Sequence, residues 1–365
     1  MNKIPVADPI FNGNEIKYLS DCIKTSWVSS GKFVTRFEEN FANFCNTKYA
    51  SATSNGTTAL HLLLVALGIK PGDEVLVPDL TYVSSANAVS YTGAKPVFVD
   101  VDREIWAIDP EKIEQKITKK TKAILVVHLY GHPADMDKIN SIAKKHKLIV
   151  IEDACQVHGA LYKGKKAGSL SKAACFSFSG AKIITTGEGG MIVTSDRTLS
   201  KRINEIKSNF TSRKKNFYHS DIGYNYRMTN LQGAVGVAQL EKIESKIKTK
   251  IKNAKLYTKL LKDTDLLQLP VEKPWAKNTY WLYSVVLKKS GLRNKLAEHL
   301  KSKGIETRPF FVPMHKLPMY KEKEKFENSE FLAANGISFP SGLSLNPEQI
   351  EYICTEIKRF IKKNA

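Results

Sequence analysis

Short apolar segments alternate with segments of helical length between residues 49 and 151, and this alternation restricts the fold more than any other feature. The apolar segments are rich in Val, Ile and Leu, which is typical of strands buried on both faces. Strands are predicted at residues 73–77, 96–99, 123–129 and 148–151, and helices at residues 82–91, 109–117 and 136–146. The pattern predicts an α/β protein with a parallel sheet wound by helices. Ligands bind such sheets beyond the carboxyl ends of the strands.

The C-terminal third follows a different pattern. A polar loop at residues 209–220, which we expect to be mobile or to contact another subunit, precedes a long predicted helix over residues 231–262. Further elements are predicted as a strand at 281–287, a helix at 293–303, a strand at 306–311 and a helix at 350–362. We expect two domains, residues 1–240 and residues 241–365.

The chain of 365 residues has a formal net charge of +20. A strongly basic chain could bind nucleic acid, or its lysines could cover solvated helix faces and favour anionic substrates. The positive residues spread along amphipathic segments such as 240–262 instead of gathering in one arm, and no DNA-recognition motif is visible. We therefore favour solvated faces.

The five cysteines lie far apart and form no CxxC pair, so neither a disulfide framework nor a zinc site is expected. The longest apolar runs are strand-sized, well below the length of a membrane span. The first residues are polar and include proline, unlike a signal peptide. We expect a protein of the reducing cytoplasm that contacts no membrane and holds no metal.

Residues 173–190 run from an apolar segment through small residues and a single lysine into a glycine-rich turn. A buried strand thereby delivers Lys182 to a loop, where loss of hydration would lower the pKa of its amine and make it nucleophilic. Such an amine suits imine formation with an aldehyde, and pyridoxal phosphate (PLP) is a common aldehyde cofactor. In a chain with 56 lysines and arginines, an ordinary solvated lysine is the alternative.

Residues 54–58, Ser-Asn-Gly-Thr-Thr, join a predicted strand to an apolar helix. The free backbone N–H groups at a helix start bind anions, and glycine allows a ligand to approach closely. The same residues could serve only as a helix N-cap. The Walker pattern is absent, so a nucleoside-triphosphate loop is not indicated.

Asp153 ends a predicted buried strand at the edge where ligands are expected. A carboxylate there could hold a metal, orient a histidine, cap a helix or pair with a protonated ring nitrogen. Metal binding is disfavoured because the nearby His128, His132 and His158 lack ligand spacing. A carboxylate beside the pyridine nitrogen of PLP would keep that ring protonated and electron-withdrawing.

Seven segments in this order resemble the DegT/StrS family of PLP-dependent nucleotide-sugar aminotransferases, which have the aspartate aminotransferase fold (type I PLP). They are SNGTTAL at 54–60, GDEVLVP at 72–78, HLYGHPADM at 128–136, IEDACQVHGA at 151–160, FSFSGAKIITTGEGG at 176–190, YNYRMTN at 224–230 and ETRPFF at 306–311. The resemblance implies a large domain with a mostly parallel seven-stranded sheet and a smaller α+β C-terminal domain. One departure is the run 179–181, Ser-Gly-Ala, which replaces bulkier residues often found before the lysine.

The resemblance also implies roles around the cofactor ring. Lys182 would bind the PLP aldehyde covalently and, once freed, would transfer the proton that transamination requires. Asp153 would pair with the pyridine nitrogen, Gln156 would lie near the 3-hydroxyl, and Tyr82 would stack on the ring. A related branch of the family has histidine at the lysine position and catalyses dehydration, so Lys182 argues against that branch.

Further roles concern the phosphate and the substrate. Gly56, Thr57 and Ser177 would hold the cofactor phosphate together with Asn225 of the partner subunit, which implies a homodimer with shared active sites. Substrate-binding residues are expected at Trp27, Ser29, Arg308 and His315.

The implied reaction moves an amino group from L-glutamate to a nucleotide-diphosphate 4-keto-6-deoxy sugar. We expect GDP-4-keto-6-deoxymannose first, with UDP- and dTDP-linked 4-keto-6-deoxyglucose left open. These motifs do not discriminate between the bases. The alternative from another functional class is a non-catalytic regulator that uses the same fold to sense an amino sugar or to bind nucleic acid.

Overall fold

The structure is a computed structural model that describes residues 3–211 and 215–364. Residues 212–214 of the expected polar loop therefore lie outside the described residues. The α-helices of the described chain are α1 Glu15–Lys24, α2 Lys32–Phe44, α3 Gly56–Ala66, α4 Ser84–Tyr91, α5 Pro110–Ile113, α6 Met136–His146, α7 Arg197–Lys207, α8 Asn230–Glu241, α9 Ile243–Leu261, α10 Leu292–Ser302, α11 Glu327–Asn335 and α12 Pro347–Asn364. The strands are β1 Tyr49–Thr53, β2 Glu74–Pro78, β3 Lys95–Val99, β4 Thr121–Val127, β5 Ile149–Asp153, β6 Leu161–Tyr162, β7 Lys165–Lys166, β8 Ala173–Ser177, β9 Gly190–Thr194, β10 Leu267–Gln268, β11 Ala276–Lys277, β12 Tyr283–Leu287, β13 Arg308–Pro309 and β14 Gly336–Phe339.

Seven strands form the main sheet, in the order β1-β9-β8-β5-β4-β2-β3. Strand β9 runs antiparallel to both of its neighbours, and the other pairs are parallel. Every residue of β8 and β9 is buried, because helices cover both faces of the sheet. The predicted fold class, a mostly parallel seven-stranded sheet wound by helices, is confirmed.

Helix α3 begins just after the carboxyl end of β1 and packs against the main sheet. It is apolar on nearly all sides because it packs against β8, β9, α4 and α7 at once. Its first turn is fixed by Asn55, whose side chain accepts a hydrogen bond of 2.9 Å from the backbone N–H of Thr58. The Thr58 hydroxyl oxygen in turn accepts a hydrogen bond from the backbone N–H of Asn55, and the two bonds together form a capping box. The start of α3 is therefore held in one position relative to the sheet.

A second, smaller sheet lies in the C-terminal part, with the antiparallel order β10-β12-β14-β13. Its core is shared with α9, α10 and α12. The predicted strand at 306–311 is wrong in extent, because only Arg308 and Pro309 pair with β14 and Pro309 has no N–H to continue the ladder. The proposed domain boundary after residue 240 stays a prediction.

The predicted single helix over residues 231–262 is also wrong. It is interrupted at Lys242, whose backbone (φ −109°, ψ 5°) leaves the helical region between α8 and α9. Buried side chains on either side of the break turn toward the N-terminal segment, since Gln239 and Lys246 both donate to the carbonyl of Ile10. Tertiary contacts of this kind leave no trace in helical periodicity.

Among the described residues, no helix combines the length and the apolar character that crossing a bilayer requires.

Candidate active site

A cavity of about 520 Å³ opens at the carboxyl edge of the main sheet, between that sheet and the small one. Strands β5 and β8 end here, and α3 begins here. Eight of the predicted site residues line it: Gly56, Thr57, Tyr82, Asp153, Gln156, Ser177, Lys182 and Arg308. Residues that are up to about 250 positions apart in sequence therefore face one space.

Lys182 reaches the cavity from the turn after β8. Burial lowers the pKa of its amine, and nearby Asp153 opposes that shift. Its Nζ lies 3.9 Å from the ring centroid of Trp281, within cation–π range. Because desolvation is the larger influence, the amine is closer to its neutral, nucleophilic form than a surface lysine would be.

Asp153 is the last residue of β5 and is 6% exposed. Its Oδ2 accepts a hydrogen bond of 2.8 Å from the Ser85 hydroxyl, and its Oδ1 accepts one of 3.2 Å from the backbone N–H of Cys155. Ser85 belongs to α4, so a neighbouring helix fixes the carboxylate toward the cavity. This arrangement makes the carboxylate a rigid acceptor for a ring N–H.

The start of α3 forms another wall. A Cβ placed on Gly56 would lie 2.8 Å from Cβ of Ser177 and 3.3 Å from Sγ of Cys155, so only glycine allows this approach. Thr57 donates from its hydroxyl to the Ser84 hydroxyl at 2.8 Å. The N–H groups of a first helical turn and the adjacent hydroxyls suit a phosphate group.

Aromatic and amide groups close the cavity. Tyr82 is 56% exposed, and its ring centroid lies 5.8 Å from that of Phe311. Gln156 accepts a hydrogen bond of 2.9 Å at Oε1 from the backbone N–H of Tyr130, which leaves its amide N–H groups available. Arg308 brings a positive charge to the wall formed by the small sheet.

Four predicted site residues lie outside this cavity, and three of them are exposed. Trp27 is 62% exposed, Ser29 is exposed in the same loop, and Asn225 is exposed beside Arg227, whose Nε donates to it at 3.1 Å. Within one chain the structure does not bring them to Lys182. Their assignment to a site shared with a second subunit stays a prediction.

His315 is also outside the cavity, and the structure contradicts the expected substrate contact. The side chain is fully buried, with Nδ1 2.7 Å from Oδ2 of Asp79 and Nε2 3.2 Å from Oε1 of Glu330. Its backbone N–H also donates to Oδ1 of Asp79, at 2.9 Å. Both ring nitrogens are engaged, so His315 joins two segments of the fold instead of facing a ligand.

Trp281 is one of the wall residues that the sequence analysis missed. It is 5% exposed, and its indole Nε1–H donates to the carbonyl of Ala181 at 2.7 Å. The sequence offered only a general indication of this contact, namely that a buried tryptophan needs a hydrogen-bond acceptor for its indole N–H. Because Trp281 lies next to a strand of the small sheet, about 100 residues after Lys182, the sequence did not predict that the two side chains are in contact.

A family profile described as the DegT/DnrJ/EryC1/StrS aminotransferase family matches residues 9–358. The chain belongs to this family. It is 47% identical over 362 residues to the GDP-perosamine synthase of Escherichia coli O157:H7, with 99% of both chains covered. It is 42% identical over 365 residues to the GDP-perosamine synthase of Caulobacter vibrioides, with 98% of both covered. Among solved structures, S. venezuelae DesV in complex with a ketimine intermediate superposes with a TM-score of 0.93 at 32% identity, covering 99% of each chain.

Enzymes of the DegT/DnrJ/EryC1/StrS aminotransferase family use PLP, and this chain is a PLP-dependent aminotransferase. The cavity fits the three polar parts of that cofactor. The glycine-lined start of α3 beside Ser177 suits the phosphate, and Asp153 suits the pyridine nitrogen. The amine of Lys182, with its lowered pKa, suits the aldehyde.

Proposed function

We propose that this aminotransferase converts a nucleotide-linked 4-keto-6-deoxy sugar into the 4-amino sugar, with L-glutamate as the amino donor. The proposed reaction forms GDP-perosamine from GDP-4-keto-6-deoxymannose. The observation that carries the proposal is 47% identity, over almost the full length of both chains, to a relative named GDP-perosamine synthase. Two further relatives with that name are each 42% identical.

When bound, PLP supplies an aldehyde and an electron-withdrawing ring that stabilises negative charge on the amino-bearing carbon. Lys182 Nζ would accept the proton from that carbon of the donor and deliver a proton to the sugar carbon in the second half of the reaction. Asp153, anchored by Ser85, would hold a proton at the ring nitrogen. Tyr82 and Trp281 would exclude water from the space around the amine.

The positive charge of the protein suits a substrate that carries a diphosphate. Arg308 on the small-sheet wall is the described cation that lines the cavity together with Lys182. We assign Arg308 to the nucleotide-sugar. We also place the reaction in the reducing cytoplasm, in keeping with the five free thiols.

A substrate panel tests the proposal. GDP-, UDP- and dTDP-linked 4-keto-6-deoxy sugars are offered separately with L-glutamate, and amino-sugar product is measured by mass. We expect the GDP-linked mannose derivative to give the highest kcat/KM. A preference for a UDP or dTDP sugar would favour the alternative substrates, and a 37% identical relative is named dTDP-3-amino-3,6-dideoxy-alpha-D-galactopyranose transaminase.

We also propose a homodimer in which Asn225 of the partner subunit completes the phosphate site. Lys182→Ala and Asn225→Asp dimers should each be inactive, the second because a carboxylate opposes the phosphate. Unfolding and refolding an equal mixture should restore about a quarter of wild-type activity, since half of the dimers are mixed and each has one intact site. No recovery, with mixed dimers demonstrated by mass, would place Asn225 in its own chain's site, and an active Asn225→Asp dimer would place it in no site.

A further inference from the structure

Trp281 links the small sheet to the loop that carries Lys182. Its indole N–H donates to the backbone carbonyl of Ala181, the residue before Lys182, at 2.7 Å. The face of the same ring lies 3.9 Å from Lys182 Nζ. A displacement of Trp281 would therefore release the backbone beside the lysine and remove one wall around its amine.

The backbone of Trp281 is in turn held by a lysine. Lys250 lies on α9, is 5% exposed, and donates from Nζ to the carbonyl of Trp281 at 3.0 Å. The same Nζ donates to the carbonyl of Ser341, which follows β14. An ammonium group has three donors, so it can join two buried carbonyl groups that lie outside the described strands.

Removing the Lys250 ammonium group from water costs free energy of folding. Burial lowers the pKa of Lys250 to about 7, with Asp8 of the N-terminal segment opposing that shift. The expected interpretation of the lysines of 240–262 as solvated is therefore wrong for Lys250 and for Lys246, which is 6% exposed. A neutral apolar side chain would fill the Lys250 site with a smaller desolvation penalty. It would also remove the hydrogen bonds that Lys250 donates to the carbonyl groups of Trp281 and Ser341.

We propose that Lys250 is a positioning residue for Lys182: it fixes the backbone of Trp281, and Trp281 holds the Lys182 loop and shields its amine. The proposal depends on Lys182 being the cofactor lysine, as assigned under the proposed function. It does not depend on which sugar is the substrate. Lys250 is not among the residues that line the cavity, whereas Trp281 is, so Lys250 acts through Trp281.

The test measures how fast Lys182 of the cofactor-free full-length protein reacts with PLP. Samples are quenched with borohydride at intervals, and modified Lys182 is quantified by peptide mass. Lys250→Met should lower the rate constant at pH 8 about tenfold. Displacement of Trp281 rehydrates the amine, returns its pKa toward the ordinary value, and so reduces the fraction of neutral amine.

Lys246→Met is the matched control. Lys246 is one turn earlier on α9, equally buried, and donates at 2.8 Å to the carbonyl of Ile10 and to Oε1 of Gln239, away from Trp281. It should lose stability as Lys250→Met does, while the Lys182 rate stays within twofold of wild type. Equal slowing by both variants would overturn the proposal, since it would indicate a general effect of α9.

A double-mutant cycle tests the route through Trp281. Trp281→Phe alone should slow the reaction, and adding Lys250→Met should change it by less than twofold. Independent, multiplicative effects would overturn the proposal. If Lys250→Met does not fold, Lys250→Gln, which keeps one donor group, should slow the reaction about threefold relative to Lys246→Gln, and equal rates would overturn it. A protein in which Lys182 does not react with PLP at all would instead contradict the proposed function.

Discussion

Lys182 and Asp153 enter the cavity from neighbouring parallel strands, and their chemistry depends on contacts with distant residues. Burial lowers the pKa of Lys182, while the Ser85 hydroxyl and the Cys155 N–H fix the Asp153 carboxylate. A cation–π contact of about 0.5–2 kcal/mol favours the charged amine, but desolvation outweighs it at Lys182. The site thus combines an amine of lowered pKa with a carboxylate held in place by hydrogen bonds.

Asp153→Asn tests the role of the anion. The new amide oxygen can accept from the Cys155 N–H and the amide nitrogen can donate to the Ser85 hydroxyl, but a neutral amide cannot hold a proton on a pyridine nitrogen. We expect cofactor binding to persist. The first-order rate constant of the glutamate half-reaction, measured by stopped-flow absorbance, should fall about 10²-fold or more. Asp137→Asn, which alters an exposed carboxylate paired with Lys163, is the control and should keep its rate. An unchanged rate in Asp153→Asn would refute this role.

At the scale of elements, the strand and helix pattern of residues 73–151 was predictable because strands β2 to β5 each contain a run of apolar residues. The end of β5 therefore also predicted where Asp153 would lie, and the separate apolar segment before the glycine-rich turn predicted that Lys182 would lie nearby. Packing between remote elements was not predictable. The break at Lys242, the shortened strand at Arg308 and the approach of Trp281 all depend on contacts that local periodicity does not record.

Gly56→Ala tests the start of α3. The new Cβ would lie 2.8 Å from Cβ of Ser177 and would push the helix start away from the phosphate position. We expect about tenfold weaker PLP binding, the equivalent of about 1.4 kcal/mol of overpacking, measured by equilibrium absorbance titration. Gly180→Ala is the control, since a Cβ at Gly180 has no described atom within 4 Å although it is closer to Lys182 in sequence. Equal affinities in the two variants would contradict the close-approach argument.

His315→Leu tests the connection between β2 and the segment after β13. Loss of the imidazole removes the 2.7 Å contact with the buried carboxylate of Asp79, and breaking a buried pair of this type costs about 3–5 kcal/mol. Urea denaturation should show that loss of unfolding free energy. His146→Leu removes a more exposed histidine beside Glu114 and should cost less than about 1 kcal/mol. A small effect at His315 would restore it as a candidate for ligand contact.

At the scale of the whole molecule, the charge of +20 is not purely a surface property. Most lysines are solvated, as the sequence indicated, but Lys246 and Lys250 join α9 to the N-terminal segment and to the small sheet. Composition cannot distinguish these two from the exposed lysines around them. The same holds for histidines, because a buried neutral ring and a surface ring look alike in sequence.

His158 predicts a pH dependence of stability. Burial lowers its pKa to about 3 from an ordinary value near 6.5, so between these pH values the unfolded chain binds a proton that the folded chain does not. Stability should therefore fall with falling pH, by about 1.4 kcal/mol per pH unit from this residue. His158→Phe should remove that part of the slope between pH 6 and 4.5, measured by denaturation at fixed protein concentration. Parallel slopes for the two proteins would show that His158 is protonated in the folded state.

The most direct measurement for the whole account is the location of the covalent bond to PLP. The holoenzyme is reduced with borohydride, digested, and each lysine-containing peptide is analysed by mass. The account predicts one pyridoxyl group per chain, on Lys182, and none elsewhere in stoichiometric amount. A stoichiometric adduct on another lysine, or no adduct in a protein that still transaminates, would contradict it.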